Sequence, residues 1–407
     1  MEAPAKRGGT GKIQAMGKRV LIVGGGIGGL AAALACSRAG WQPELFESAR
    51  EFNEVGAGIQ LGPNIVKILN TWGLSEALAG VAAFPDRLQV RSATSGRELG
   101  VLRLGARAVQ RYGAAYATIH RADMHALLLA ELKRRGDVQL HLQSEVVAFE
   151  QNADGVSLQC ANGSKVHGDL VLGADGSWSK LRQQLLGDGS PVATGHLAYR
   201  AMVQQSSLPE NLRSQHITAW LGPQLHVIQY PVRGGDWLNV VAVVHGHMVG
   251  DIEYWDHSAN VAKLRRSMAQ TCAPLHDLIH AIERWRLWGL SIRAPMKGPQ
   301  EFGRGRVALL GDAAHPMLPY LAQGAGMAIE DAQALAQALS VDGLTLPDAL
   351  RNYANARWQR CARVQSRAIR NGQIFHATGL LRWGRDAAMK LLGERLLDVE
   401  WLYRGPA

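Results

Sequence analysis

The chain has 407 residues, enough for one large or two intertwined domains around a sizeable core. Apolar residues make up 47% and charged residues 19%, which excludes an intrinsically disordered chain. The formal charge of +10 is dispersed, without long Lys/Arg blocks or interleaved aromatics, which argues against nucleic acid and leaves a positive field for anionic cofactors and small carboxylates.

Residues 1–17 are small, polar and Gly-rich, so a loose tail is predicted, with Met16 as an alternative start. No apolar h-region of a secretory signal appears, and no apolar run reaches the roughly eighteen residues of an integral membrane segment. Cys36, Cys160, Cys272 and Cys361 are scattered with no CxxC pair. That pattern suits a reduced, cytoplasmic protein without structural disulfides or bound metal.

The first motif is KRVLIVGGGIGGLAAALACSRA, from Lys18 to Ala39. VLIV predicts a buried parallel strand, and an Ala/Leu-rich helix follows at once. Gly24, Gly26 and Gly29 satisfy GxGxxG: one for the tight turn, one for close approach to a pyrophosphate, one for helix–strand contact. The helix N-terminus offers free N–H groups to the phosphates. A second strand, PELFE, ends at Glu47, about twenty residues after the first glycine, where a carboxylate meets a ribose hydroxyl. This context predicts a dinucleotide site and leaves FAD and NAD both open.

Further along, IHRADMHALLLAELKRRG predicts an amphipathic helix opened by Arg121, which suits a pyrophosphate at the crevice end. DLVLGADGSWSKLR, Asp169 to Arg182, is another apolar strand with a Gly-Asp-Gly turn; Asp175 fits a polar crevice better than a core. Period-two segments such as HVIQYPV and WLNVVAVV predict strands of a smaller antiparallel sheet. Within the first, His226 and Tyr230 fall on one strand face. They suit one pocket, and equally a hydrogen-bonded core histidine beside a packed tyrosine.

The stretch GRVALLGDAAHPMLPYLAQGAGMAIEDAQAL decides between the two dinucleotides. An apolar strand runs into Asp312, and a Gly-rich turn opens a helix near Gly324. A simple NAD site needs no such acid, whereas a flavin's ribityl hydroxyls do. The backbone of Gly324, Ala325, Gly326 and Met327 then aims N–H groups at the flavin C2 carbonyl. No second GxGxxG unit is present for a nicotinamide nucleotide.

The predicted architecture is α/β: a Rossmann-like FAD-binding domain from 18–83, 108–186 and 293–342, interleaved with an antiparallel-sheet substrate domain from 84–107 and 187–292. Residues 343–407 are predicted helical, with Gly379, Gly384 and Gly393 as interruptions. The last helices are amphipathic and basic. They are expected to pack on their own domain or on a second copy in a homodimer, with a membrane surface as the alternative.

These motifs resemble those of the class A FAD-dependent aromatic hydroxylases, the para-hydroxybenzoate hydroxylase superfamily. GGGIGGL with Glu47 matches its first motif, GADGSWSKLR its second and GRVALLGDAAHP its third, over roughly residues 18–342. GAGIQLGPN, AYRAMV, HVIQYPVRGG and PYLAQGAGMAIEDA are most similar to the branch of salicylate hydroxylase, 3-hydroxybenzoate 6-hydroxylase and 6-hydroxynicotinate 3-monooxygenase.

The resemblance implies that Glu47 binds the adenosine ribose and Arg121 the FAD phosphates. Asp175 and Gly176 would serve FAD and a transient NADH or NADPH, Asp312 the ribityl chain, and Pro316 the flavin near its oxygen-reacting position. It places His226 and Tyr230 at the substrate hydroxyl, and Gln60, in the loop leaving the Glu47 strand, near flavin and substrate. Arg200 reads as a partner of a substrate carboxylate or as a structural salt bridge, and His315 as structural. The implied reaction uses NAD(P)H and O2 to hydroxylate a small phenolic or hydroxy-heteroaromatic acid through a flavin C4a-hydroperoxide. A histidine near its unperturbed pKa would take the phenolic proton. Gln60 replaces a histidine of the hydroxynicotinate enzymes and Pro319 a glutamine of the 3-hydroxybenzoate enzymes, so neither specificity transfers. The alternatives are a ubiquinone-pathway hydroxylase of a membrane-delivered substrate and a flavin-binding protein without turnover.

Overall fold

The computed structural model describes residues 18–52, 56–247, 257–258 and 261–406. The expected tail over 1–17 and the question of Met16 lie outside the described residues.

VLIV forms the centre of a six-stranded sheet because a parallel strand covered on both faces must be apolar throughout. Arg19–Val23 pairs in parallel with Gln42–Phe46 on one side and Leu170–Gly173 on the other. Val307–Leu309 and Gln139–His141 extend the sheet outward, again in parallel. The C-terminal ends of the strands therefore deliver Gly24, Glu47, Asp175 and Asp312 to the same edge. Helices Ile27–Arg38 and Gly324–Leu339 pack on each other, with Leu30, Leu34, Ile329 and Leu335 fully buried.

An eight-stranded sheet is assembled from strands lying between residues 87 and 292. Its pairings are antiparallel except where Ile217–Gly222 runs parallel to Arg87–Ser92. The connection between those two strands carries two strands of the first sheet, Gln139–His141 and Leu170–Gly173, and a parallel pair requires a long crossover of this kind. Period-two patterning divides its faces. Tyr199, Val227, Leu238, Val240 and Ala242 bury outward against Leu264, Leu275 and Ile279 of two short helices. Ala198, Val243, Trp288 and Leu290 turn inward against Leu318, Tyr320 and Ala368.

The C-terminal region is helical, led by Leu346–Phe375, whose N-terminus is capped by the Thr345 side chain. Gly384 does not interrupt: it lies inside helix Gly379–Leu392, where the buried Arg385 and Met389 hold the helix against the rest of the molecule. Gly379 and Gly393 do mark helix ends, both with positive φ. Leu380, Leu381, Trp383 and Leu391 of this helix are exposed. Among the described residues, no helix is long and apolar enough to cross a membrane, and all four cysteines are free.

Candidate active site

Four strand ends and two helix N-termini enclose a crevice of about 710 Å³. Gly24 adopts φ +105°, and a Cβ there would stand 2.4 Å from the Ala174 carbonyl oxygen. A Cβ on Gly29 would lie 1.8 Å from the Gly24 oxygen, so the turn can close only with glycine. Gly26 differs: a Cβ there meets nothing within 4 Å. Its bareness is not needed for protein packing and keeps open the crevice beside the first helix. That helix and the one starting at Gly324 carry no side-chain N-cap, so their first-turn N–H groups remain for a ligand.

Each acid has a distinct setting. Glu47 accepts from the Gly25 N–H at 2.6 Å and the Ala49 N–H at 2.8 Å, which holds its carboxylate across the glycine turn. Asp175 is engaged locally, accepting from Ser179 Oγ at 2.6 Å and Leu181 N at 3.2 Å; burial nevertheless pushes its carboxyl up. Gly176 beside it has φ +77° and open space at its Cβ position. Asp312 opens onto the crevice, deep enough that burial raises its carboxyl, while Arg121 and His315 pull it down. Arg121 lines the same crevice, and a Cβ on Gly56 would press within 2.9 Å of its side chain. The crevice thus presents a sugar-sized acid site, a cation and a second acid in sequence, and these residues fit FAD.

Behind Asp312 lies a buried ionic network absent from the sequence reasoning. Arg357 donates to Glu330 and Asp331 at 2.8 Å each, and all three side chains are fully buried. Asp331 also accepts from the Gly311 N–H at 2.9 Å and pairs with His315 Nε2 at 2.6 Å. Although burial opposes ionisation, His315 and Arg357 hold the Asp331 carboxyl down at about 2. This network fixes the one-turn helix Gly311–Ala313 that carries Asp312, and it makes His315 structural. Removing Arg357 takes a shared cation from two buried carboxylates, leaving Glu330 to Arg360 and Asn64 and Asp331 to His315 and the Gly311 N–H. Arg357→Ala is expected to cost roughly 3–5 kcal/mol of folding stability, measured by denaturant unfolding.

A second cavity of about 540 Å³ lies under the inner face of the eight-stranded sheet. Gln60, Tyr116, Ile228, Tyr320, Phe375 and Met389 are among its walls. Gln60 is on a strand, Gly58–Leu61, rather than in a loop, because that segment pairs with Ala117–His120. Its Oε1 accepts from Tyr116 Oη at 2.7 Å. Gly58 N–H donates to Asn239 Oδ1 at 2.7 Å, and a Cβ there would meet the Tyr230 ring at 2.6 Å. The glycine lets the two sheets approach at this point.

Tyr230 is buried there, its hydroxyl pushed up by burial and drawn back by Arg200. Arg200 is not a structural salt-bridge partner among the described residues. Its guanidinium stacks 3.6 Å from the Trp288 ring, its Nε has no hydrogen-bond partner, and burial lowers it to about 9. Pro316 is buried and borders neither cavity; its carbonyl accepts from Gln365 Nε2 at 3.1 Å.

His226, Ile228 and Tyr230 do share a strand face, and Ile228 lines the cavity. His226 itself stands behind the wall formed by Tyr320 and Phe375, at ring separations of 5.1 and 5.4 Å. The expectation of an unperturbed imidazole fails. Burial, with His196 nearby, lowers His226 to about 3. Its Nδ1 lies 2.7 Å from Nε2 of His376, a residue not singled out in the sequence. His376 ends the long C-terminal helix, 150 positions away, and its only local signal was the Phe375–His376 pair shortly before Gly379.

Residues 18–368 match the family described as FAD binding domain. A 3-hydroxybenzoate 6-hydroxylase of Polaromonas naphthalenivorans (strain CJ2) is 38% identical over 387 residues, 94% of this chain and 95% of that protein. A 6-hydroxynicotinate 3-monooxygenase of Bordetella bronchiseptica (strain ATCC BAA-588 / NCTC 13252 / RB50) is 37% identical, covering 85% of this chain and 89% of its own length. Among solved structures, Klebsiella pneumoniae HpxO complexed with FAD and uric acid superposes with a TM-score of 0.83 at 26% identity, covering 95% of this chain and 96% of that one. The chain belongs to the FAD-binding-domain family and is an FAD-dependent aromatic monooxygenase. The ubiquinone-pathway and non-catalytic alternatives find no support among these relatives.

Proposed function

We propose that the chain hydroxylates a small aromatic acid bearing a ring hydroxyl, a hydroxybenzoate or hydroxypyridine carboxylate, with NADH or NADPH as reductant and O2 as oxidant. The observation that carries this substrate class is Arg200. Half-buried and bordering neither cavity, its guanidinium has an unpartnered Nε and no carboxylate partner among the described residues, and so lacks an anion to balance it. A substrate carboxylate supplies that anion.

FAD held in the crevice would supply the redox chemistry, two-electron reduction by the nicotinamide and activation of O2. Around it, Gly24, Gly26 and Gly29 admit the diphosphate, Glu47 takes the adenosine ribose and Arg121 the phosphates. Asp175 and Gly176 border the shared nucleotide path, and Asp312 holds the ribityl chain. Backbone N–H groups from Gly324 to Met327 meet the ring, and Pro316 braces the loop behind it. Gln60 and Tyr230 orient the substrate hydroxyl. His226 backs the Tyr320 and Phe375 wall as a neutral imidazole that burial prevents from resting as a cation. The apolar wall of Ile228, Phe375 and Met389 keeps water from the reacting ring.

A panel of 3-hydroxybenzoate, salicylate and 6-hydroxynicotinate tests the reading. At least one should accelerate NAD(P)H oxidation with hydroxylated product formed in step. Oxidation that yields only hydrogen peroxide with every member would overturn it. Arg200→Met should raise KM for the carboxylated substrate roughly tenfold to a hundredfold, reflecting a lost charged hydrogen bond, and leave an uncharged phenol unaffected.

A further inference from the structure

Three histidines from distant parts of the chain converge at one end of two neighbouring strands of the eight-stranded sheet. His196 and His245 are paired in register on Val192–Gln204 and Trp237–His245, and His376 closes the long helix Leu346–Phe375. One ring nitrogen from each lies within 4.8 Å of the other two. His376 Nδ1 stands 3.0 Å from His245 Nε2, and the three ring centroids are 4.6, 5.0 and 5.0 Å apart. His376 is buried, His196 half-buried and His245 exposed, so the group opens to solvent on one side.

We propose that His196, His245 and His376 bind a divalent transition-metal ion of the zinc class. A tetrahedral zinc with nitrogen ligands at about 2.0–2.1 Å needs its donors roughly 3.4 Å apart. Side-chain rotation of the two less buried rings closes the difference. Three imidazoles with a solvent-facing fourth position are a donor set that zinc, copper and nickel accept, and one without the oxygens that calcium or magnesium require. The expectation of a chain without bound metal rested on the cysteine pattern. These histidines are too far apart in sequence to show a ligand spacing.

Two of the rings already have their second nitrogen engaged, as a metal-ligating imidazole requires. His196 Nδ1 lies 2.6 Å from Tyr320 Oη, and His376 Nε2 lies 2.7 Å from His226 Nδ1. Each partner fixes its ring, and each ring keeps its other nitrogen for the ion. Arg385 also approaches His376, but its guanidinium is committed to the Ile374 and Phe375 carbonyls and to Asp386. Among the described residues, no carboxylate is bonded to the three histidines. Backbone contacts hold the helix end to the strands: the Gln224 N–H donates to the His376 carbonyl at 3.1 Å, and the His245 N–H to the Gln224 carbonyl at 3.3 Å. An ion at the site would lock this junction, directly after Ile374 and Phe375 of the second cavity's wall.

The test uses the FAD-loaded full chain, freed of metal with a chelator and titrated calorimetrically with zinc ion alone. One equivalent should bind, and the melting temperature should rise with zinc concentration. His245→Ala changes an exposed residue, so it should fold and keep FAD while losing both effects. Tyr320→Phe removes the hydroxyl that holds His196 and should weaken zinc roughly tenfold to a hundredfold. His276→Ala breaks the stacked His276–His280 pair of helix Ala273–Ala281 and should bind zinc as the wild type does. No saturable uptake by the wild type, uptake unchanged in His245→Ala, or uptake lost in His276→Ala would overturn the site. None of these results depends on hydroxylation, so the site and the reading above fail independently.

Discussion

Asp312→Ala is expected to leave a folded protein that is purified without its yellow colour. The carboxylate is the one acid at the inner end of the crevice, close to the helix start at Gly324. Its hydrogen bonds to the ribityl chain are charge-assisted, and losing them should weaken FAD roughly tenfold to a hundredfold. Folding should survive, because the turn bearing Asp312 is fixed from behind by Asp331 through Gly311 and His315. Asp312→Asn keeps a hydrogen-bonding group and should lose less. Bound FAD, measured by absorbance after gel filtration, checks both variants; equal occupancy in all three proteins would contradict the assignment.

His226→Ala should separate cofactor binding from productive chemistry. His226 borders none of the crevice, so FAD should be retained. Its loss removes the imidazole packed behind Tyr320 and Phe375, and a wall no longer held from behind should admit water to the reacting ring. NAD(P)H oxidation should continue while hydroxylated product gives way to hydrogen peroxide. A variant as well coupled as the wild type would remove His226 from the reaction.

The cofactor side of this protein is legible in the sequence because its signals are local. The turn at Gly24, the acid at Glu47 and the acid at Asp312 each follow directly from an apolar strand, and spacing alone orders them. The parallel sheet follows from the same runs, since VLIV, LVLG and VALL are apolar on both faces.

The substrate side is assembled from long-range contacts that no window of sequence contains. Gly58 meets Asn239, Gln60 meets Tyr116 and His226 meets His376. Strand periodicity put His226 and Tyr230 on one face, yet it could not show that burial would drive the histidine far below its ordinary value. Arg200 had two readings for the same reason, because the absence of a salt bridge is a tertiary fact. Gly384 was misread as a break, because a glycine inside a helix lowers propensity without ending it when neighbouring residues such as Arg385 and Met389 anchor that helix.

The most direct measurement is a titration of the deflavinated protein with FAD, followed by quenching of flavin fluorescence. Uptake saturating at one FAD per chain, weakened by Glu47→Ala and Asp312→Ala alike, is the expected result, because both acids line one crevice. A chain that takes up no FAD, or that takes it up equally well without either acid, would contradict a single flavin nucleotide held between those two strand ends.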